Sequence, residues 1–400
     1  VLEGVEVAAF RARAGAAVLI TVKMLLEYKG ALFWKMAAGM GDVVFAPLCQ
    51  ALRARGVDIE FFCRVDGLHL DARRHRIDAV SLGRQARLRT GVARYDPLVR
   101  VGGLPCFPDA PLVDQLADAE GIIGQPLESH WCSWPDADRP VLRRGHDFDV
   151  VVLAIPVGMA GTVCRELVAD RPEWAAMVAN VATVATQAFQ VWLAEDELSL
   201  GWPLPGATVS AFVKPFDTSA SMPHLIDAEQ WDDSDRPRAI AYFCSVLDAP
   251  GSAGGSGAPG TAGIGHAWAE RQRERVRAHA VRFLERDIGH LLPGALQDGR
   301  FRWELLCGRG GRTGPDAFDS QFWTANVDPS DRYVQSLPGT SRYRLRPDES
   351  GYDNLFLAGD WTDSGLNAGC IEAAVLSGLQ AANAVLSRAR NHRVTPYDLA

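Results

Sequence analysis

The stretch that most constrains this chain is residues 354–383, NLFLAGDWTDSGLNAGCIEAAVLSGLQAAN. Residues 354–358 form a short apolar run that predicts a buried strand, and Gly359 and Asp360 end that strand. A polar loop follows, and from Gly369 the apolar residues recur every three or four positions, which predicts a helix with one buried face. The residues expected on that face are Ile371, Ala374, Val375, Gly378, Leu379, Ala382 and Val385.

A strand, a glycine-containing turn and a helix together can hold a nucleotide. The free N–H groups of the first helical turn and the positive end of the helix dipole favour an anionic or carbonyl-rich ligand. Asp360 is placed to accept hydrogen bonds from sugar-like hydroxyls, and Gly359 and Gly369 allow the backbone to approach a ligand closely. By pattern alone, an ordinary strand–loop–helix connection with a solvated Asp360 fits equally well.

The order of residues in this stretch resembles the C-terminal flavin-binding signature of the flavin amine oxidase and phytoene desaturase superfamily. The matching positions are Gly359, Asp360, Thr362, Gly369, Glu372, Ala373, Ala374, Ser377, Gly378, Ala381 and Ala382. The resemblance implies FAD as the cofactor, with Asp360 on the ribityl chain and the backbone at Cys370 and Ile371 facing the pyrimidine end of the flavin. The implied cofactor-binding residues of this stretch are Gly359, Asp360, Thr362, Gly369, Cys370 and Ile371. No cysteine stands where related enzymes attach flavin covalently, so we expect non-covalent FAD.

Two earlier stretches resemble other parts of the same superfamily. A glycine-rich turn at Gly39, Met40 and Gly41 precedes a predicted helix over residues 43–55 and a predicted strand over residues 57–65. The resemblance implies that the backbone of Val65 contacts the adenine of FAD. Residues 68–70 and 77–80 predict a hairpin. Residues 148–156 predict a strand that is covered on both faces.

The remaining elements predict a second region that covers the substrate. We expect a buried helix at residues 16–22, helices over residues 162–181 broken at Pro172, strands at residues 182–194 and 239–246, and a helix over residues 266–288. The fold class is therefore α/β (α+β mixed), an incomplete FAD-binding Rossmann-like domain with an inserted mixed-sheet substrate domain. The predicted regions are 1–38 (N-terminal helical part), 39–83 (FAD-domain helix, strand and hairpin), 84–144 (insertion), 145–160 (FAD-domain strand), 161–348 (substrate domain with a flexible loop at 249–265), 349–390 (C-terminal strand–loop–helix) and 391–400 (tail).

Composition excludes several classes of function. The net charge of −8 argues against a nucleic-acid partner, which would require a basic face. The eight cysteines are scattered without metal-ligand spacing, so we expect no metal site and a cytoplasmic location. No apolar run reaches the length of a membrane span, which leaves at most a peripheral membrane contact.

A complete FAD enzyme of this kind also needs a G-x-G-x-x-G turn after a first strand, and this sequence has none. We therefore expect an N-terminal dinucleotide-binding segment outside these residues, either in a longer chain or on a partner polypeptide. By itself, this chain should bind FAD weakly or not at all.

The sequence assigns no catalytic acid or base. In amine oxidases of the superfamily, an aromatic residue that forms half of a cage for the substrate amine stands at the position of Cys370. The resemblance to the desaturase branch is therefore favoured by the absence of this aromatic residue. The expected partner is a lipophilic, isoprenoid-like small molecule that is dehydrogenated or isomerised. Two alternatives remain: a flavin amine oxidase, and a non-catalytic flavoprotein-like subunit or scaffold. An NAD-dependent dehydrogenase would also need a G-x-G-x-x-G turn, which this sequence lacks. Arg332 and Arg344 are candidates to hold the flavin loop or a substrate carboxylate.

Overall fold

Helices and strands are interspersed along the whole chain. A computed structural model describes residues 14–31, 34–117, 119–210, 212–248 and 265–390. The α-helices in this part are α1 (Ala14–Leu26), α2 (Ala46–Ala54), α3 (Ala119–Ile122), α4 (Ala160–Val163), α5 (Arg165–Asp170), α6 (Pro172–Asn180), α7 (His266–Arg286) and α8 (Ile371–Arg390). The strands are β1 (Cys63–Leu70), β2 (Ile77–Arg84), β3 (Val99–Val101), β4 (Leu104–Cys106), β5 (Val141–Arg143), β6 (Val151–Leu153), β7 (Thr183–Val184), β8 (Thr186–Leu193), β9 (Thr208–Ser210), β10 (Thr218–Ser221), β11 (Ala239–Val246), β12 (Leu296–Gln297), β13 (Arg300–Phe301), β14 (Phe322–Asn326), β15 (Tyr333–Val334) and β16 (Leu355–Leu357).

The larger core lies between a five-stranded sheet and helix α7. The sheet is antiparallel, with the strand order β14–β8–β11–β10–β9. Phe189 of β8 is fully buried at its centre and stacks on Phe243 of β11, with the ring centroids 4.7 Å apart. The ring of Phe283 from α7 meets Phe189 edge-on at 5.8 Å. Alternate residues of each strand therefore point into this core, and the others form a second face of the sheet.

The second core joins the hairpin to the strand that carries the flavin signature. Strands β1, β2 and β5 form one antiparallel sheet, and β6 and β16 form a parallel pair. The side chain of Asn354, just before β16, accepts a hydrogen bond from the Ile77 N–H at 2.8 Å and donates one to the Ile77 carbonyl at 2.9 Å. Glu166 of α5 accepts a hydrogen bond from the Leu70 N–H at 2.8 Å. These side chains fix the hairpin against the parallel pair and the helices.

Most predicted elements are confirmed. The hairpin is β1 with β2, the helix after the glycine-rich turn is α2, and the helices on either side of Pro172 are α5 and α6. Strands β8 and β11 and helix α7 lie within or on their predicted ranges. The prediction of a strand over residues 57–65 is wrong for residues 57–62, because the strand begins only at Cys63. Residues 1–13, 249–264 and 391–400, including most of the predicted loop and the tail, lie outside the described residues.

The predicted burial of α8 and β6 is wrong. In α8 the small residues Ala373, Ser377 and Ala381 are buried, whereas Ile371, Val375 and Leu379 of the predicted face are exposed. Small side chains let the helix lie close against Phe356 of β16, and the larger apolar residues then point outward. Strand β6 is covered on one face only, because Val150 and Val152 are 44% and 48% exposed. An apolar surface on α8 and β6 is consequently open.

The predicted burial of the first helix is also wrong. Ala16 is the one fully buried residue of α1, although the helix is strongly apolar. Packing takes place through this small side chain, and the bulkier residues Val18, Val22 and Leu26 remain exposed. None of the helices in the described ranges combines enough length with enough apolar character to cross a bilayer.

The position of Phe189 at the centre of the larger core predicts a large loss of stability on truncation. Phe189→Ala should lower the free energy of unfolding by about 3–5 kcal/mol, because it removes ring contacts and leaves a cavity. Chemical denaturation followed by tryptophan fluorescence would measure this. Phe322→Ala on the neighbouring strand β14 is the control, since Phe322 is 48% exposed and should cost less than about 1 kcal/mol. Equal losses for the two variants would contradict this description of the core.

Candidate cofactor site

A tight turn at Gly359 connects β16 to the loop before α8. Gly359 has φ +137°, and an added Cβ would lie 2.4 Å from Nε1 of Trp361, so both conformation and space require glycine. The Trp361 indole is buried and donates a hydrogen bond to the Ile155 carbonyl at 2.9 Å. The Gly359 N–H donates to the Ser377 hydroxyl at 2.7 Å, and that hydroxyl donates to the Ala374 carbonyl at 2.8 Å. The turn is thereby fixed to β6 on one side and to α8 on the other.

Arg344 is hydrogen-bonded to the backbone of the turn. Its guanidinium donates to the Asp360 carbonyl at 2.6 Å and to the Ser336 hydroxyl at 3.1 Å. Arg344 is buried and is bound to the loop that the sequence analysis expects to contact flavin, and its role towards flavin stays a prediction. Arg332 instead donates to the Val327 carbonyl at 2.8 Å.

The carboxylate of Asp360 is half-buried and has no hydrogen bond from any other residue in the described part of the chain. Burial raises the pKa of Asp360, and the positive charge of Arg344 offsets part of that rise. An added Cβ at Gly369 would lie 2.7 Å from the Val334 carbonyl oxygen and 3.7 Å from Oδ2 of Asp360. Gly369 therefore lets the start of α8 approach the carboxylate closely. A partly desolvated, unpaired acceptor of this kind is suited to ligand hydroxyls.

The first turn of α8 lies beside this carboxylate. Cys370 immediately precedes the helix and is half-buried, and burial raises the pKa of its thiol. Tyr28 donates a hydrogen bond to Glu372 at 2.5 Å, and this bond is the largest contribution to the lowered pKa of Glu372. Glu372 is thus held by a partner from the N-terminal region. The exposed Ile371 starts the helix, and its backbone N–H lies among the groups that a helix leaves without internal partners.

Thr362 has a structural role in the turn. It is fully buried, and its hydroxyl donates to the Gly359 carbonyl at 2.9 Å. The side chain therefore stabilises the turn from inside.

Val65 lies on an open cleft of about 550 Å³. The cleft also has polar walls that include Arg64, Thr162 and Arg165. Val65 packs on the same hydrophobic core as Trp361, so the hairpin and the Gly359 turn share one support.

The Gly39–Gly41 turn has a different environment. The Asp42 N–H donates to the Gly39 carbonyl at 2.9 Å, and Met40 is partly exposed. The segment that begins at Gly41 packs against α2 and β4. These contacts connect the turn to α2 and β4.

Several residues that build the corner were not assigned roles from the sequence. Ser336 accepts from Arg344 and donates to the Asn367 carbonyl, and Asn367 itself has φ +54°. Ser377 was part of the matched pattern, but its bond to Gly359 spans 18 positions and leaves no local signal. No group of residues in the described ranges could hold a metal ion, and all eight cysteines are free.

The Ser377 hydroxyl predicts a specific effect on stability. Ser377→Ala should cost about 1–3 kcal/mol of unfolding free energy, because it leaves the Gly359 N–H without an acceptor. Thermal and chemical denaturation would measure the loss. Ser387→Ala is a matched control on the same helix, where the hydroxyl donates to the carbonyl of Asn383, four residues earlier, at 2.7 Å. If Ser377→Ala proved no worse than Ser387→Ala, the bond to Gly359 would not fix the turn.

No curated protein sequence matches the chain. A solved structure of an oxidoreductase from Methanosarcina mazei aligns with a TM-score of 0.41 and 10% sequence identity. That alignment covers 83% of this chain and 51% of the other, so the chain spans about half the length of that protein. Residues 137–386 match the sequence model described as flavin containing amine oxidoreductase. This match extends over more than half of the sequence, and the chain therefore belongs to the flavin-containing amine oxidoreductase family.

Proposed function

We propose that this chain is the flavin-holding and substrate-holding part of an FAD-dependent oxidoreductase that dehydrogenates or isomerises a neutral, lipophilic, isoprenoid-like molecule. The observation that carries the proposal is the half-buried Asp360 carboxylate beside the N-terminus of α8, which lacks a hydrogen bond from another described residue. Bound flavin would supply the redox chemistry by accepting a hydride equivalent.

The residues of the corner fit non-covalent FAD. Asp360 would accept hydrogen bonds from the ribityl hydroxyls, and Arg344 would keep its backbone in place. The backbone N–H group of Ile371 would face a pyrimidine carbonyl oxygen, which the positive end of the α8 dipole also favours. The neighbouring Cys370 N–H donates to the Ala368 carbonyl at 3.0 Å and supports the backbone there. Gly359 and Gly369 provide the space for close approach. The adenine would lie near the backbone of Val65, at the cleft on the same hydrophobic core.

The open surface on α8 and β6 supports a further component of this site. Parallel strands are usually covered on both faces and rarely stand as a pair, yet Val150 and Val152 are exposed, and so are Ile371, Val375 and Leu379 of α8, the helix that packs on β16. A strand–turn–helix segment could pair with the parallel strands and cover these residues. Its glycine-rich turn would hold the pyrophosphate of FAD. Such a segment would come from further residues of a longer chain or from a partner polypeptide.

The second face of the five-stranded sheet supports a neutral substrate. Residues directly opposite one another share this face, and none of these strand residues is charged: Thr186, Ala188, Gln190, Trp192, Thr208, Ser210, Thr218, Ala220, Ile240, Tyr242, Cys244, Val246, Phe322, Thr324 and Asn326. The Glu229 carboxylate, from outside the strands, accepts a hydrogen bond from the Trp192 indole at 2.8 Å. Burial, followed by the neighbouring Cys244 and Tyr333, raises the pKa of Tyr242. Tyr333 is followed in the sequence by Val334, and the Val334 carbonyl oxygen lies close to Gly369. The sheet face at Tyr242 is therefore connected through Tyr333 and Val334 to the cofactor corner.

An amine substrate is the second candidate, because the family is described by amine oxidation. The uncharged sheet face and Cys370, in place of an aromatic cage residue, favour a neutral substrate.

A non-catalytic subunit is the third candidate, and the absence of a pyrophosphate turn from this sequence favours it.

Flavin binding is tested by Asp360→Asn. Without the carboxylate, affinity for FAD should fall about 10- to 100-fold in a preparation that includes the dinucleotide-binding segment, since hydrogen bonds to charged groups contribute about 1.5–3 kcal/mol. Quenching of flavin fluorescence measures the affinity. Asp353→Asn, at an exposed ion pair with Arg76, is the control and should bind normally. Equal affinity of both variants would refute the role of Asp360, and tight FAD binding by the 400 residues alone would refute the need for a second segment.

The same substitution should stabilise the protein without flavin. Because burial raises the pKa of Asp360, its ionisation costs folding free energy above about pH 4 and costs nothing at lower pH, where the carboxyl is protonated in both states. Asp360→Asn should therefore raise the melting temperature by roughly 1–3 °C at pH 7, and the gain should disappear towards pH 4. Differential scanning fluorimetry across this pH range measures it. A loss of stability at pH 7 would contradict the unpaired state of the carboxylate.

The substrate class is tested by flavin bleaching without oxygen. An acyclic isoprenoid hydrocarbon should reduce the flavin of the complete enzyme, and a primary or secondary amine should not. Tyr242→Glu should slow this reduction about tenfold or more, because it places a charge on the uncharged face. Leu104→Glu, at an exposed residue of β4, is the control. Bleaching by amines alone would establish the amine oxidase alternative, and bleaching by neither class would favour the non-catalytic subunit.

A further inference from the structure

The first helix turns its large apolar side chains away from the protein. Five of them are exposed: Val18, Leu19, Val22, Leu25 and Leu26, the last two by 67% and 79%. At about 100° per residue they fall within an arc of about 120° on one side of α1. The buried Ala16 and the partly buried Ile20 and Met24 lie on the other side. A helix on a water-exposed surface has the opposite arrangement, so this face is expected to contact something other than water.

Residues 34–36, after α1, add exposed apolar side chains and are fixed to the protein. Trp34 is 73% exposed, and Tyr28 and Met36 are exposed as well. Lys35 donates hydrogen bonds to the carbonyls of Ser221, at 2.6 Å, and Gly206, while the Met36 carbonyl accepts one from His224 at 2.9 Å. The segment therefore presents its aromatic residues from a defined position. Tyrosine and tryptophan are the side chains that concentrate at the boundary between lipid and water.

The charge of this region differs in sign from that of the chain. Between positions 11 and 36 the sequence contains five basic residues, Arg11, Arg13, Lys23, Lys29 and Lys35, and one acidic residue, Glu27. The chain as a whole has a net charge of −8, and three of its four lysines lie in this short region. Arg11 and Arg13 lie outside the described residues, and Lys23 pairs with Glu27 at 2.8 Å. An apolar and aromatic surface with more lysines than carboxylates, on an acidic protein, is complementary to an anionic lipid surface.

We propose that α1, Tyr28 and residues 34–36, together the α1 surface, bind the interface of a bilayer that contains anionic phospholipid. Helix α1 has 13 residues and is therefore about 20 Å long, short of the roughly 30 Å hydrocarbon core. It would lie in the plane of the interface, with Leu25 and Leu26 among the acyl chains and with Lys23 and Lys29 near the head groups. The proposal does not depend on flavin binding or on the identity of the substrate.

The test is co-sedimentation of the whole chain with vesicles. Vesicles of phosphatidylcholine mixed with phosphatidylglycerol should retain the protein, and vesicles of phosphatidylcholine alone should retain much less. Added salt should weaken the binding, because part of the attraction is electrostatic. The double variant Leu25→Glu/Leu26→Glu should reduce binding about tenfold or more. Both residues are exposed, so its melting temperature should match that of the wild type.

A matched control separates this surface from other exposed apolar residues. Val375→Glu/Leu379→Glu makes the same change on the exposed face of α8 and should leave vesicle binding unchanged. Equal binding by the α1 variant, or no binding of the wild type to either vesicle, would overturn the proposal. Light scattering that shows a dimer lost in the α1 variant, without vesicle binding, would assign the surface to a second copy of the chain. Capture of a dinucleotide-binding segment by the wild type alone, again without vesicle binding, would assign it to that segment.

Discussion

The arrangement of the candidate site depends on the hydrogen bond between the Gly359 N–H and the Ser377 hydroxyl. This bond joins the end of β16 to the middle of α8, while the Trp361 indole joins the same turn to the segment after β6. Because these contacts involve buried groups, any shift of the turn would leave a polar group without a partner in the core. The turn therefore has one position, and the direction of Asp360 relative to the start of α8 follows from it.

The site combines a rigid support with a carboxylate that the folded chain does not satisfy. Arg344 binds the carbonyl of Asp360, and Ser336 and Asn367 extend this support into the loop. The carboxylate itself is partly removed from water and has no hydrogen bond from another described residue, which costs stability in the absence of a ligand. Residues that act on ligands often carry such a cost, because an acceptor already satisfied by the protein is not available to a ligand.

Two exposed apolar surfaces lie near the two ends of the described chain. Tyr28 and Glu372 connect the end of α1 to the start of α8, so the surfaces approach each other at the candidate site. They differ in chemistry. The α8 and β6 surface is aliphatic and adjoins a parallel strand pair, which suits a strand and helix. The α1 surface carries aromatic and basic residues, which suits a lipid interface.

The sequence by itself determined the elements and the chemistry of the signature. The apolar run before Gly359, the helical spacing after Gly369 and the alternation in β8 and β11 are local patterns, and each produced the predicted element. Only the tertiary structure decided which side of α8 is buried, that α1 turns its apolar side outward, and that Arg344 rather than Arg332 holds the loop. Periodicity reports the presence of an apolar face, but burial depends on partners distant in sequence, such as Phe356 for α8. In the same way, the 18 positions between Gly359 and Ser377 leave no local pattern from which their bond could be inferred.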